Sequence, residues 1–409
     1  MISINLIPNF GTEEISLAVK MLFSPWIFWQ TKYQKLLTER LKHYLKIKHC
    51  FLFDSGRTSL YFLLQALGVG KDDEVIIQAF TCSVVPAAII NGGATPIYID
   101  IDENYNLDPK KIEEKISPKT KALIIQHTFG KAADIETIAK ICLKFKIALI
   151  EDCAHSLGGE FKKGKLGAFG KAAFFSFGRD KVISGIWGGA ITTNDALLAA
   201  KLQNLTQNYP QRGFFWSVKQ LIYIPLVFLA MQTYDFFNLG KFLHWFFRKA
   251  KLVDDAVSCE DKKCLPPKKF YRGLPEFQAK LVCLQLAKIE EILRHRKKMA
   301  GFYARELNLP FDEDSTYLRF SFERADAENI RIAAAKKNIF LGNWYNNPIA
   351  PKDIDLEKFG YNKGECPKAE KSATRILNLP TNPNLSLKEA ERIVKLFPPK
   401  ADRPLDENC

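Results

Sequence analysis

Ile147-Ala148-Leu149-Ile150-Glu151-Asp152-Cys153-Ala154-His155 sets an unbroken apolar run directly before two carboxylates. A run without polar alternation reads as a strand covered on both faces, the habit of parallel sheets. A carboxylate just past the C-terminal end of such a strand lies where open α/β sheets bind ligands. Comparable runs stand at 50–53, 75–79, 96–99, 122–126, 172–177 and 190–193. Helix-like segments, such as 60–67 and 135–144, separate several of them. The alternation predicts an α/β doubly wound fold with a mostly parallel sheet.

The rhythm stops near residue 205. Residues 1–30 form an arm ending in Phe23-Ser24-Pro25-Trp26-Ile27-Phe28-Trp29, and 31–205 are the large domain. Residues 206–268 are an apolar, aromatic insertion followed by a polar linker with Pro266-Pro267. Residues 269–409 open with one long predicted helix, 275–306, and continue as a smaller C-terminal α/β domain. With 409 residues, two domains are expected.

The formal charge is +14, but the lysines are scattered and no zinc-finger spacing or basic run interleaved with aromatics is present. No nucleic-acid partner is expected; anionic small molecules or an acidic membrane surface suit the charge better. The nine cysteines form no Cys-x-x-Cys pair and no framework, which points to reduced thiols and a cytoplasmic setting. Cys259 and Cys264 lack histidine or cysteine partners at ligand spacing, so no metal is expected. Met1-Ile2-Ser3-Ile4-Asn5 has no basic stretch before its apolar residues, and no secretory leader is expected.

Four features of the large domain carry candidate chemistry. Phe53-Asp54-Ser55-Gly56-Arg57-Thr58-Ser59 follows a strand and opens a helix, whose amides suit a phosphate; alone it reads rather as an ordinary capped glycine turn. Asp152 could keep a pyridine nitrogen protonated, or cap the next turn. His155 could pack on a ring or serve the core. In Phe174-Phe175-Ser176-Phe177-Gly178-Arg179-Asp180-Lys181, a serine leaves a strand five residues before a lysine. Ser176 could hold the same phosphate, and Lys181 could form an imine if burial and cationic neighbours lower its pKa. Alone it is one solvated lysine among many. Gly185-Ile186-Trp187-Gly188-Gly189 would let the backbone pass close to the lysine, or simply turn.

Taken together, residues 50–195 resemble the DegT-type sugar aminotransferases, pyridoxal-phosphate enzymes of fold type I. The resemblance rests on Gly56-Arg57-Thr58-Ser59, Asp73-Glu74-Val75-Ile76, Phe80-Thr81 and Gly93-Ala94-Thr95-Pro96 with Asp100 and Asp102. It continues through Pro118-Lys119-Thr120-Lys121-Ala122, His127, Gly130, Glu151-Asp152, Ser176-Phe177, Lys181 and Gly188-Gly189. Weaker matches follow at Pro275-Glu276-Phe277-Gln278-Ala279, Cys366-Pro367-Lys368-Ala369-Glu370 and Leu379-Pro380.

The resemblance implies that Lys181 is the Schiff-base lysine and proton shuttle. Asp152 then pairs with the pyridine nitrogen and His155 lies beside the ring. Ser176 and the 57–59 amides hold the phosphate. The implied reaction is ping-pong transfer of an amino group, from glutamate in the family's habit, to a keto-sugar nucleotide. A homodimer is implied, each site built by both subunits. A sister class with histidine at the lysine position dehydrates sugars; here the residue is Lys181. Four departures stand out. Cys82 occupies the place of a ring-stacking aromatic, Lys171 that of an acid, Trp187 that of a glutamate, and Phe270-Tyr271-Arg272 that of an asparagine lent by the partner, for which Arg272 could substitute. Two other readings remain: a pyridoxal-phosphate enzyme with a non-sugar acceptor, and a non-catalytic, membrane-associated or regulatory binding descendant. Retention of Asp152, Ser176 and Lys181 argues against the second.

The insertion contains the apolar run 221–231, interrupted by Pro225 and shorter than the roughly 20 residues a bilayer span needs. It packs against the body or a dimer partner, or it lies in a membrane interface through 214–247, at the inner face of the membrane.

Overall fold

The structure is a computed structural model and describes residues 1–4, 6–207, 210, 212–234, 236–250, 252, 257–266 and 273–397. The arm comprises β1 (Ile2–Ser3), α1 (Thr12–Leu22) and a 3-10 turn (Pro25–Trp29), and α2 (Lys32–Leu45) leads into the large domain. There follow β2 (His49–Phe53), α3 (Gly56–Ala66), β3 (Glu74–Gln78), β4 (Thr81–Cys82), α4 (Val84–Asn91), β5 (Thr95–Ile99) and β6 (Thr120–Gln126). Then come α5 (Ile135–Phe145), β7 (Ala148–Asp152), the hairpin strands β8 (Glu160–Phe161) and β9 (Gly164–Lys165), β10 (Ala172–Ser176), β11 (Gly189–Thr193) and α6 (Ala196–Thr206).

Seven strands form one sheet in the order β2-β11-β10-β7-β6-β3-β5. Only β11 runs against its neighbours; the other pairs are parallel. The apolar runs are continuous because both faces are buried. Along β6, Ala122 and Ile124 join the core under α3 and α4, while Leu123 and Ile125 join the core under α2 and α5. The expected α/β fold with a mostly parallel sheet is the observed one.

The insertion folds as α7 (Phe214–Gln232) and α8 (Leu239–Lys249). α7 is longer than its unbroken apolar run, because flanking residues complete the helix and Pro225 is accommodated inside it. It is the one helix among the described residues long and apolar enough, by length and composition, to cross a membrane. Its inner face is nevertheless sealed in protein. Leu221, Ile224 and Val227 share a core with Phe10, Ala18 and Met21 of the arm and with Phe277 and Leu281 further on. Arm and insertion are therefore one packed unit beside the sheet.

The C-terminal part holds α9 (Cys259–Lys262), α10 (Glu276–Ala287), α11 (Ile289–Leu307), β12 (Phe320–Glu323), α12 (Ala327–Lys336), β13 (Ile339–Phe340), β14 (Ile349–Ala350), α13 (Pro367–Arg375), β15 (Ile376–Leu379) and α14 (Leu387–Val394). The long helix expected over 275–306 is two, because Lys288 leaves helical geometry at φ −114°, ψ 23°. There its ammonium meets Glu13 and Glu14 of α1 at 2.9 and 2.6 Å. β12 pairs antiparallel with β15, while β13 pairs parallel with β1 of the arm and β14 parallel with β4 of the large domain. These last two pairings tie the small domain to the cleft.

Candidate active site

A cavity of about 600 Å³ opens at the C-terminal ends of the parallel strands. Its walls include Gly56, Arg57, Cys82, Asp152, His155, Ser176 and Lys181. Seven of the nine expected site residues thus come to one place. Thr58 and Ser59 do not line it; the Thr58 amide and hydroxyl both bond Ser55 Oγ, at 3.2 and 2.9 Å, and the Ser59 hydroxyl donates to the Ser55 carbonyl at 3.0 Å. Both residues bond within the first turn of α3. The first amides of a helix have no partner within it, so the N–H groups of Gly56 and Arg57 are the ones offered to the cavity.

The phosphate end is built by close approach. A Cβ on Gly56 would stand 3.0 Å from Ser176 Cβ, so the start of α3 and the end of β10 nearly touch. A Cβ on Gly189 would lie 2.6 Å from the Gly56 nitrogen, which is why β11 begins with glycine where it passes beneath that turn. Arg57 is held by Asp261 of α9 at 2.8 Å, while its Nε is buried without a partner.

At the opposite end, Asp152 closes β7, and its carboxylate accepts the Ala154 amide at 2.9 Å. Burial pushes its pKa up to about 6, against the Ala154 hydrogen bond and the charges of Lys181 and His127. Beside it, Glu151 points to the other face of the strand. Burial alone would raise the Glu151 carboxyl, but hydrogen bonds from His127 and the Gly170 and Gly167 amides hold it below the usual range. The trio His127, Glu151 and Cys153 is the nearest approach to a metal donor set among the described residues. Glu151 already accepts His127 Nε2 at 3.1 Å and the Gly167, Phe169 and Gly170 amides at 2.8, 2.7 and 2.7 Å, so it latches the following loop.

His155 is buried between rings, 5.9 Å from Phe129 and 5.5 Å from Trp344 in near-parallel stacks. Its Nδ1 accepts the Phe129 amide at 3.3 Å, which leaves the proton of the neutral ring on Nε2, facing Tyr345 Oη at 3.3 Å. Burial, then the charges of Lys181 and Arg319, push its pKa well down, so the ring is neutral.

Lys181 Nζ lies 4.7 Å from the Trp344 ring centre, and the Arg319 guanidinium covers the same ring at 3.4 Å. Arg319 is itself buried and bonds Asp180 at 3.2 Å. Burial lowers its pKa to about 10, with Asp180 opposing, so it stays charged. The lysine backbone is pinned through its carbonyl by Asn9 of the arm.

Sequence reasoning missed several of these walls. Trp344 and Tyr345 sit in Asn343-Trp344-Tyr345-Asn346-Asn347, where an aromatic pair among amides was the available signal. Tyr234, His244 and Arg248 of the insertion also line the cavity. The departures have structural counterparts. Lys171 pairs with Asp195 at 3.3 Å on the surface, away from the site. Trp187 donates its indole N–H to Gln220 of α7 at 3.1 Å and lies under the Arg179 guanidinium. It therefore couples the active-site loop to the insertion. Phe270, Tyr271 and Arg272 lie outside the described residues.

A strand-end carboxylate, a loop lysine and a helix start beside a serine, gathered on a seven-strand α/β sheet, define the class of fold-type-I aminotransferases. The profile of the DegT/DnrJ/EryC1/StrS aminotransferase family matches residues 8–216 and 270–397. The chain belongs to this family of sugar aminotransferases, and the stretch left out of the match contains nearly all of α7 and all of α8 and α9. It is 28% identical to a dTDP-3-amino-3,6-dideoxy-alpha-D-galactopyranose transaminase of Aneurinibacillus thermoaerophilus, covering 86% of this chain and 85% of that one. It is 26% identical to the spore coat polysaccharide biosynthesis protein SpsC of Bacillus subtilis, covering 95% and 94%. The fold is that of a putative sugar aminotransferase from Streptococcus pneumoniae, with a TM-score of 0.75 at 21% identity over 95% of each chain.

Proposed function

We propose that this enzyme moves an amino group from glutamate to a keto-sugar carried as a nucleotide, using pyridoxal phosphate in the cavity described above and working as a homodimer. The observation that carries the reading is the convergence of Lys181, Asp152, Ser176 and the start of α3 on one cavity. The residues fit the cofactor chemically. The Gly56 and Arg57 amides and the Ser176 hydroxyl are donors for a phosphate, and Asp152 is an anion for a pyridine nitrogen. Lys181 supplies the amine for covalent attachment. When bound, the cofactor supplies an electron sink for the carbon that gains or loses the amino group.

The chain's own part follows from its geometry. A cationic ring nitrogen beside Asp152 favours the ionised carboxylate, and that carboxylate in turn keeps the nitrogen protonated. His155, neutral and fixed by Phe129 and Tyr345, brings no charge to the cavity. Lys181 Nζ is the base that takes a proton from the donor carbon and returns it one position along. Cys82 is too small to cover a ring, and Trp344 is an aromatic on the cavity wall beside Lys181.

Two measurements test the reading. Borohydride reduction of the cofactor-loaded protein should fix the cofactor on Lys181, and Lys181→Ala should abolish that label and lower transaminase turnover by more than about 10²-fold. A Lys181→Ala protein that keeps label and turnover removes the assignment. Protein loaded with pyridoxamine phosphate should return the cofactor to its pyridoxal form with a keto-sugar nucleotide. Return with a simple ketone alone would displace the sugar acceptor.

A further inference from the structure

The insertion has two faces, and the structure explains one of them. The inner face of α7 is core. The outer surface at its C-terminal end, continued by α8, is aromatic and exposed in the single chain. Phe236, Phe237, Phe242 and Trp245 are 62%, 89%, 57% and 55% exposed. Along α8, Phe242, Trp245, Phe246 and Lys249 recur at helical spacing, so they form one stripe, while Phe247 points inward. Exposed apolar patches of this kind mark interaction surfaces.

Composition says what covers it. From 213 to 250 the acidic residue is Asp235 alone, against Lys219, Lys241, Arg248 and Lys249. Trp and Phe on one side of a helix with the exposed Lys241 and Lys249 beside them suit the headgroup level of a bilayer, where the rings enter the acyl boundary and the ammonium groups meet anionic lipid. A contact between copies of the chain favours a core depleted of lysine and carries no reason for a one-signed border. The same helix turns His244 and Arg248 to the cavity.

We infer that the exposed aromatic face of α8 seats this enzyme on an anionic membrane surface. The inference goes beyond the proposed reaction and holds whichever acceptor the enzyme uses.

The test is vesicle flotation of the full-length, cofactor-loaded protein. The wild type should rise with phosphatidylcholine vesicles containing phosphatidylglycerol, and less with phosphatidylcholine alone. Phe237→Ser/Phe242→Ser/Trp245→Ser should stay at the bottom while keeping the wild-type particle size and cofactor absorbance. Lys241→Glu/Lys249→Glu should lose flotation on the anionic vesicles. Should the aromatic variant fail to fold, the charge variant decides, because both of its positions are exposed. A wild type that stays at the bottom with every vesicle overturns the inference, as do variants that float like the wild type. An aromatic variant that breaks into smaller particles by light scattering, beside a wild type that does not float, would instead make this face a contact between copies.

Discussion

At Asp152, burial and chemistry pull in opposite directions. The folded, cofactor-free protein raises this carboxyl to about 6 through burial, while an unfolded aspartate titrates near 3.9. Between those values the folded state holds the extra proton, so the contribution of Asp152 to stability falls as pH rises from about 4 to about 6 and stays low above. The shift corresponds to at most about 3 kcal/mol. Cofactor-free Asp152→Asn should therefore be more stable than the wild type at pH 7.5, by up to about 3 kcal/mol, and close to it at pH 4. Urea unfolding at the two pH values reads this directly, and an equal difference at both would refute it. The same variant should lose most transaminase activity, because a neutral amide does not hold the ring proton. Asp152 was legible in the sequence as a carboxylate at a strand end. Its raised pKa was not, because burial depends on what packs over it.

Among the elements, the strands of the main sheet were readable because each is an apolar run, and the inner ones are buried on both faces. The two-residue strands β4, β13 and β14 were not, since so short a segment carries no period. Yet β4 and β14 place Cys82 and Ala350 on the cavity wall. β11 shows how tightly elements meet at the site. Gly189→Ala would press a methyl group against the Gly56 nitrogen and the Ser55 carbonyl, each 2.6 Å away. Overpacking of that kind is worth ~1–3 kcal/mol, and the part yielding is the first turn of α3. Cofactor affinity should fall about tenfold or more, with far-UV circular dichroism unchanged. Unchanged affinity, measured by cofactor fluorescence titration, would mean that the turn does not hold the phosphate.

Across the whole molecule, the insertion is at once core and surface. Ile224 is fully buried between the arm and α10, whereas Phe237 is almost fully exposed. Ile224→Ala should lower stability by ~2–5 kcal/mol. Phe237→Ala should change it by less than about 0.5 kcal/mol. Chemical denaturation of the two variants separates these faces, and similar losses at both positions would contradict the packing. The result also bears on membrane work: removing residues 214–247 would take out a wall of the arm's core, so point substitutions on the outer face are the informative ones.

The sequence by itself determined the α/β class and the order of the strands along the chain, and it singled out Lys181, Asp152, Ser176 and Gly56, which the fold brings to one cavity. Each of these is local: a run of apolar residues, a glycine at a turn, a lysine five positions past a serine. Only the tertiary structure decided that Trp187 reaches Gln220, that Asp261 holds Arg57 and that Trp344 stands beside Lys181. Those contacts join residues from 33 to over 200 positions apart, and no periodicity records which distant segments close packing will bring together.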